Sequence, residues 1–209
     1  MKKLLILGLL LFGGYKLHTT GHLPFLKKAG AFDARGNPVV RLFVGPGCGT
    51  VCDEIESLLQ SRRVEYELFD ISSPEGSKFG VNRYPLIQVG HDSALGGKWE
   101  IIGALARNLG PEVLSRAERM AMENHFDESG KAMVVMYGTT WCPHCKRQRE
   151  YFRDNDIPYT ELDPEQSPAA RTSYNILQGQ GYPLTYVGYQ RFVGYKAQEI
   201  KAAWSARRG

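Results

Sequence analysis

The hydrophobic and polar positions of this chain follow the same order twice. A continuous apolar run opens each half, and its length is typical of a buried strand. Apolar residues at helical spacing follow the first run, whereas the segment after the second run is polar, with Phe152 as its main apolar anchor. A second strand is expected further along each half. The clearest of these elements are strands at 39–44, 64–70, 132–137 and 157–163 and a helix at 169–177.

The two halves also match residue by residue, most closely at Tyr84-Pro85-Leu86 and Tyr182-Pro183-Leu184. Proline has no backbone N–H to donate, so each proline is expected at the first residue of a strand. The shared order and spacing indicate two copies of one domain. Each copy follows the order βαβ, α, ββα, which predicts an α/β fold. We expect the copies at 38–110 and 131–209, joined by a charged helical linker at 111–130.

A charged start and a short apolar stretch set the N-terminus apart. Lys2 and Lys3 precede an apolar run at 4–15, and residues 16–37 carry the glycines and prolines of a loop. The run is shorter than the about 20 apolar residues that span a membrane. The pattern indicates an export signal or an uncleaved anchor within residues 1–37, which would place the domains on the periplasmic side of an inner membrane. A cytoplasmic location is the alternative.

Charge and cysteine content narrow the classes of function. The net charge of the 209-residue chain is +4 and its basic residues are spread along it, which does not favour nucleic-acid binding. Four cysteines are too few for a disulfide-stapled scaffold. They form two close pairs, Cys48/Cys52 and Cys142/Cys145, and close pairs are typical of redox chemistry or of a metal site.

The pair Cys142/Cys145 follows a predicted strand and begins a predicted helix. A thiol at a helix N-terminus meets the positive end of the dipole, which stabilises the thiolate that attacks disulfides. Pro143 suits the first helical position, and Cys145 returns to the same helix face. His144, when protonated, would stabilise the thiolate further. Zinc held by this pair together with Cys48 and Cys52, or together with histidines, is the alternative. The preceding strand and the proline favour redox chemistry, so no metal is expected.

The segment Thr140-Trp141-Cys142-Pro143-His144-Cys145, with Tyr182-Pro183 further along, resembles glutaredoxins of the thioredoxin superfamily. The resemblance covers nearly all of the second copy and implies two tandem thioredoxin-like domains. It also implies a cis proline facing the dithiol and a site lined by Trp141, Pro143, His144, Tyr182 and Pro183. The implied activity is thiol-disulfide exchange with protein disulfides and thiols, sustained by a reductase or a membrane electron donor.

Three departures from the glutaredoxin pattern concern glutathione. The segment Gly138-Thr139-Thr140 lacks the lysine that typical glutaredoxins carry before the cysteines, Gly181-Tyr182 replaces a Thr-Val pair, and no acid follows Gly194. We therefore expect poor glutathione binding and no resident cofactor.

The first copy resembles the second in layout but not in its cysteine spacing. Three residues separate Cys48 from Cys52, and an acidic segment follows where the second copy is basic. Negative charge there opposes a thiolate. Pro85 lies in the matching place, and the repeated position of Pro85 and Pro183 opposite the two cysteine pairs favours a cis peptide bond at both. Cys48/Cys52 is therefore a secondary candidate pair. It is either degenerate, slow or relay-like, or it belongs to a fold kept only for packing or partner binding. For the whole chain, a non-catalytic tandem adaptor that binds a partner is the alternative to an enzyme.

Overall fold

The computed structural model describes residues 30–206. Most of the predicted signal or anchor segment lies outside this range. Within the described part of the chain, none of the helices has the length and apolarity needed to cross a membrane.

The first domain is a four-stranded sheet with helices packed on it. Its elements are β1 (Val40–Val44), α1 (Gly49–Ser61), β2 (Glu67–Asp70), α2 (Pro74–Ser77), β3 (Leu86–Val89), β4 (Asp92–Leu95) and α3 (Lys98–Leu109). The strand order is β2-β1-β3-β4, in which β1 and β2 are parallel and the other neighbours are antiparallel.

The second domain repeats this arrangement. Its elements are β5 (Val134–Tyr137), α5 (Pro143–Asp154), β6 (Thr160–Leu162), α6 (Pro168–Ile176), β7 (Leu184–Val187), β8 (Gln190–Val193) and α7 (Ala197–Ala206). The strand order β6-β5-β7-β8 and the strand directions match those of the first domain. The structure confirms the predicted α/β fold of two tandem thioredoxin-like domains.

Two strands begin later than the hydrophobic pattern predicts, β2 at Glu67 rather than Val64 and β6 at Thr160 rather than Ile157. The N–H of Val64 donates to the carbonyl of Leu59 at 3.0 Å, and the N–H of Ile157 donates to that of Phe152 at 2.9 Å. These apolar residues are therefore buried in turns that close the preceding helices, and they contribute nothing to strand pairing.

Both prolines of the repeated segment lie immediately before their strands, not within them. The Tyr84–Pro85 and Tyr182–Pro183 peptide bonds are cis, as the pattern predicts. Each proline is buried, and its following residue is the first of β3 or of β7.

The linker between the domains is helical only in part. Short 3₁₀ turns at Pro111–Val113 and Glu123–His125 flank α4 (Arg116–Met122). The helical part ends at His125, and residues 128–130 of the linker form a turn. The Asp127 carboxylate accepts backbone N–H groups of that turn, a local bond that competes with helix continuation.

A hydrophobic core runs through both domains. It includes Ile102 from α3 together with Tyr137 and Tyr186 from the second sheet. Helix α3 lies against β8, and a Cβ at Gly103 would lie only 2.6 Å from the carbonyl oxygen of Tyr189. The close approach of the two domains at this point therefore requires glycine.

Candidate functional site

The two free cysteines lie at the start of α5, directly after β5. Cys142 is the N-cap residue, and its Sγ accepts the backbone N–H of Cys145 at 3.2 Å. Pro143 occupies the first helical position, where a missing N–H costs no hydrogen bond. Cys142 is 4% exposed and Cys145 is fully buried. Cys142 is therefore the outer thiol and Cys145 the inner one.

Helix α5 is held by a polar residue on its buried face. Cys145, Gln148 and Phe152 point into the domain. The Gln148 side-chain amide donates to Thr185 Oγ1 at 2.6 Å, and its carbonyl oxygen accepts the backbone N–H of Lys196. Because both ends of the amide are paired, burying it carries little penalty. The polar sequence of α5 does not predict that Gln148 is buried, since a glutamine is ordinarily expected at the surface.

Two residues of the predicted aromatic lining, Trp141 and Tyr182, contact each other next to the cysteine motif. Trp141 is 66% exposed, and its indole N–H donates to the Glu165 carboxylate at 2.9 Å. Its ring meets Tyr182 edge-on with centroids 6.1 Å apart. Tyr182 is half-buried before the cis Pro183, so tryptophan and tyrosine together present an apolar surface beside Cys142. His144 is exposed on the first turn of α5.

Two of the basic residues after the cysteines, Arg147 and Arg149, contact other side chains of the second domain. Arg147 lies over the ring of Tyr195, 4.5 Å from its centroid. Arg149 turns towards the inner thiol and forms an ion pair with Glu161 on β6. Glu161 is far from the cysteine motif in sequence, and only the β5–β6 pairing brings it there.

The inner thiol is strongly biased towards its protonated form. Burial raises the pKa of Cys145 to about 12, and the hydrogen bond with Cys142 acts in the same direction. The backbone N–H of Thr139 and the charge of Arg149 act in the opposite direction. The sequence indicates Arg149 as one of several positive charges that follow the cysteines, but it does not indicate Thr139, which lies outside the motif.

The first domain carries a disulfide in the matching place. Cys48 and Cys52 are bonded with their Cα atoms 5.6 Å apart, although their spacing predicts awkward geometry. Gly49, the first residue of α1, lies between them in the left-handed region with φ of 49°, a conformation that glycine adopts without steric cost. Cys48 is half-exposed and Cys52 is 5% exposed. The Tyr84 hydroxyl donates to the Pro46 carbonyl at 2.7 Å and holds the loop before this pair.

The two cysteine pairs belong to separate sites. Across residues 30–206, no cluster of three or more His, Cys, Asp or Glu side chains has an arrangement that could hold a metal ion. The structure therefore does not bring Cys48 and Cys52 together with Cys142 and Cys145, as the zinc alternative requires.

Comparison with known proteins places residues 134–192 in the glutaredoxin family model. An uncharacterized glutaredoxin-like 8.6 kDa protein from the rubredoxin operon of Clostridium pasteurianum is 28% identical over 69 residues, which cover 32% of this chain and 92% of that protein. A glutaredoxin from Archaeoglobus fulgidus matches in structure at 23% identity and a TM-score of 0.31, over 36% of this chain and 89% of its own. A buckwheat glutaredoxin solved with glutathione matches in structure at 16% identity and a TM-score of 0.34, over 44% of this chain and 91% of its own.

Proposed function

We propose, from the premise that the chain is a glutaredoxin-like protein of the thioredoxin superfamily, that it is a thiol-disulfide oxidoreductase acting through Cys142 and Cys145. One observation carries the proposal. Two free thiols lie on the first turn of α5, with the outer one at the helix N-cap, and Tyr182, which precedes the cis Pro183, packs against the hydrophobic cluster that contains both cysteines. The glutaredoxin match covers both thiols and the proline.

The exchange proceeds in two steps. The Cys142 thiolate attacks one sulfur of a substrate disulfide, forming a mixed disulfide and releasing a substrate thiolate. The Cys145 thiolate then attacks Cys142 Sγ, which leaves a Cys142–Cys145 disulfide and a second substrate thiolate. The substrate gains the two electrons that the protein loses, and an external dithiol, a reductase or a membrane donor returns them.

Protein disulfides are the proposed substrates. Cys142 has little exposed surface of its own, but it adjoins the exposed face of Trp141 and the half-buried Tyr182. Exposed aromatic side chains with a polar tip are suited to binding polypeptide segments. Such a surface can hold a chain in place while its disulfide meets the thiolate.

Catalysed reduction of insulin disulfides by dithiothreitol tests this function. The wild-type protein should accelerate the reduction, and a Cys142→Ser variant should not. The adaptor alternative predicts no acceleration in either protein. It also predicts that Cys142 is alkylated at mildly acidic pH no faster than free cysteine, whereas an activated thiolate reacts faster.

We further propose that glutathione is a poor reductant for this protein, because the site lacks the lysine, the Thr-Val pair and the acid of typical glutaredoxins. Turnover coupled to glutathione should be much slower than turnover coupled to a thioredoxin reductase system. A low Michaelis constant for glutathione would contradict this.

Export is a separate proposal that rests on the N-terminal sequence pattern, with Lys2 and Lys3 before the apolar run. A reporter enzyme that is active only outside the cytoplasm, fused after residue 37, should be active. An inactive fusion, together with an active cytoplasmic reporter at the same place, would favour the cytoplasmic alternative.

A further inference from the structure

The loop that leads from β5 to Cys142 is held from behind by Arg149. Its Nη2 donates to the backbone carbonyl of Thr139 at 2.8 Å. The same guanidinium donates to both carboxylate oxygens of Glu161, at distances from 2.6 to 3.1 Å. A planar guanidinium with several fixed donors can hold two partners in a defined geometry, which a lysine cannot do. We call Arg149 and Glu161 the clamp.

Thr139, held by the clamp, belongs to the backbone segment that lies against the inner thiol. Its carbonyl is the group that Arg149 holds, and a Cβ on the preceding Gly138 would lie 3.2 Å from Cys145 Sγ. Thr139 is fully buried, and its backbone N–H lowers the pKa of Cys145. Arg149 therefore fixes the backbone segment that carries this N–H beside the inner sulfur.

Gly138 allows the clamp to lie close to that sulfur. A Cβ at Gly138 would lie 3.2 Å from Cys145 Sγ and 3.1 Å from Glu161 Oε1. The carboxylate therefore approaches the inner thiol from the side of Gly138. Without Arg149, its negative charge would oppose a thiolate at Cys145.

The charged and titratable groups around Cys145 come from three elements. Cys142 and Arg149 belong to α5, Glu161 belongs to β6, and Tyr174 belongs to α6. Arg149 is the cation of this set, and burial has already pushed the pKa of Cys145 to about 12. A thiol in such surroundings is a slow nucleophile unless its anion is stabilised as it forms.

We propose that Arg149 is a positioning residue for the second step of the exchange, in which it holds the Gly138–Thr139 backbone beside Cys145 Sγ while Glu161 fixes the guanidinium. The inference rests on the proposed function. The stabilised Cys145 thiolate attacks Cys142 Sγ, and the S–S bond between Cys142 and the substrate breaks. The substrate sulfur leaves as a thiolate with the electron pair of that bond, and it takes up a proton in place of the one that Cys145 released. The first step, at Cys142, does not use the clamp.

Stopped-flow reaction of the reduced full chain with an aromatic disulfide that releases a coloured thiolate separates the two steps. The first release reports attack by Cys142, and the second reports attack by Cys145. In an Arg149→Met/Glu161→Gln double variant, which avoids leaving a partly buried charge unpaired, the second release should be slower and the first unchanged. A rise in pKa that lowers the thiolate fraction of Cys145 about tenfold also raises the intrinsic nucleophilicity of that thiolate about threefold. We therefore expect the second release to slow by about threefold or more.

The pH dependence distinguishes positioning from general loss of structure. The rate of the second release should rise with pH in both proteins, and the curve of the variant should be displaced to higher pH. Arg149→Lys keeps the positive charge but loses the several fixed N–H donors of the guanidinium, so its second release should also be slow. Glu161→Gln should give an intermediate rate. Arg153→Met, an exposed residue of the same helix paired with Asp154, is the matched control and should behave as the wild type.

Three results would overturn the inference. The double variant could resolve the mixed disulfide at the wild-type rate at every pH, both releases could slow together, or Arg149→Lys could restore the full rate, which would assign the effect to charge alone. A wild-type protein that shows no first release would instead disprove the proposed function, and the inference would fall with it.

Discussion

The indole N–H of Trp99 in the first domain donates to Oε1 of Gln178 in the second domain across 3.1 Å. The guanidinium of Arg191, on β8, lies over the Trp99 ring, 5.6 Å from its centroid. Trp99 is 7% exposed, so a large aromatic side chain is buried where the domains meet. The last helix of the first domain is thereby tied to the second domain, close to the loop that leads to the cis Tyr182–Pro183 bond.

We predict that the two domains unfold as one cooperative unit. Replacing Trp99 by alanine removes a buried aromatic side chain and its hydrogen bond, and should lower the free energy of unfolding by about 3–5 kcal/mol. Gln178→Ala, which removes only the acceptor, should cost about 1 kcal/mol. Urea unfolding followed by circular dichroism and by tryptophan fluorescence, which in the Trp99→Ala variant comes from Trp141 and Trp204 of the second domain, checks this. Separate transitions for the two signals would contradict the shared core.

The roles of the two thiols can be tested directly. Cys142 is the outer thiol and Cys145 has a raised pKa, so Cys142 should attack first. A Cys145→Ser variant should accumulate mixed disulfides with substrate proteins, whereas a Cys142→Ser variant should accumulate none. Non-reducing gel electrophoresis after acid quenching measures both. The opposite pattern would reverse the assignment.

The two cysteine pairs should be unequal in activity. Asp53 and Glu54 follow the Cys48/Cys52 disulfide on α1, and negative charge there disfavours a thiolate. A Cys48→Ser/Cys52→Ser double variant should keep most of the insulin-reducing activity, and a Cys142→Ser variant should lose nearly all of it. If the double variant reacts normally with small disulfides but is not recycled by its donor, the first pair is a relay. If it is folded yet inactive in both assays, the ranking of the pairs is wrong.

Stability should fall in mild acid because of a linker histidine that is buried against the second domain. His125 is fully buried with Nε2 3.1 Å from the Tyr137 hydroxyl, and burial lowers its pKa from 6.5 to about 3. The unfolded chain therefore binds a proton more readily than the folded protein. The stability that depends on neutral His125 is complete above pH 6.5 and is lost as the pH falls towards 3.

This loss can be measured against a non-titrating variant. Between neutral pH and about pH 5, the wild-type protein should lose about 2 kcal/mol of unfolding free energy through this residue. A His125→Phe variant should lack that part of the pH dependence, whatever its absolute stability. Parallel pH profiles for the two proteins would show that His125 is not responsible.

Much of the architecture could be predicted from the chain alone. The two copies, the order of their elements and the placement of Cys142 at a helix N-terminus all follow from local patterns, because periodicity and proline chemistry act between near neighbours. The cis state of Pro85 and Pro183 was predicted from their repeated position opposite each cysteine pair. The family resemblance of the second copy was carried by a short contiguous motif, and the glutaredoxin match confirms it.

Only the tertiary structure decided which polar groups meet. The sequence of α5 does not show that Gln148 turns inward to Thr185, or that Arg149 reaches Glu161 and Thr139. Hydrophobic patterns also assigned Val64 to a strand, although it closes a helix. A pattern of apolar residues reports burial but not the partner. The partner of a buried polar group is set by strand pairing and helix packing between segments far apart in the chain, so the contacts around Cys145 were decided by the fold.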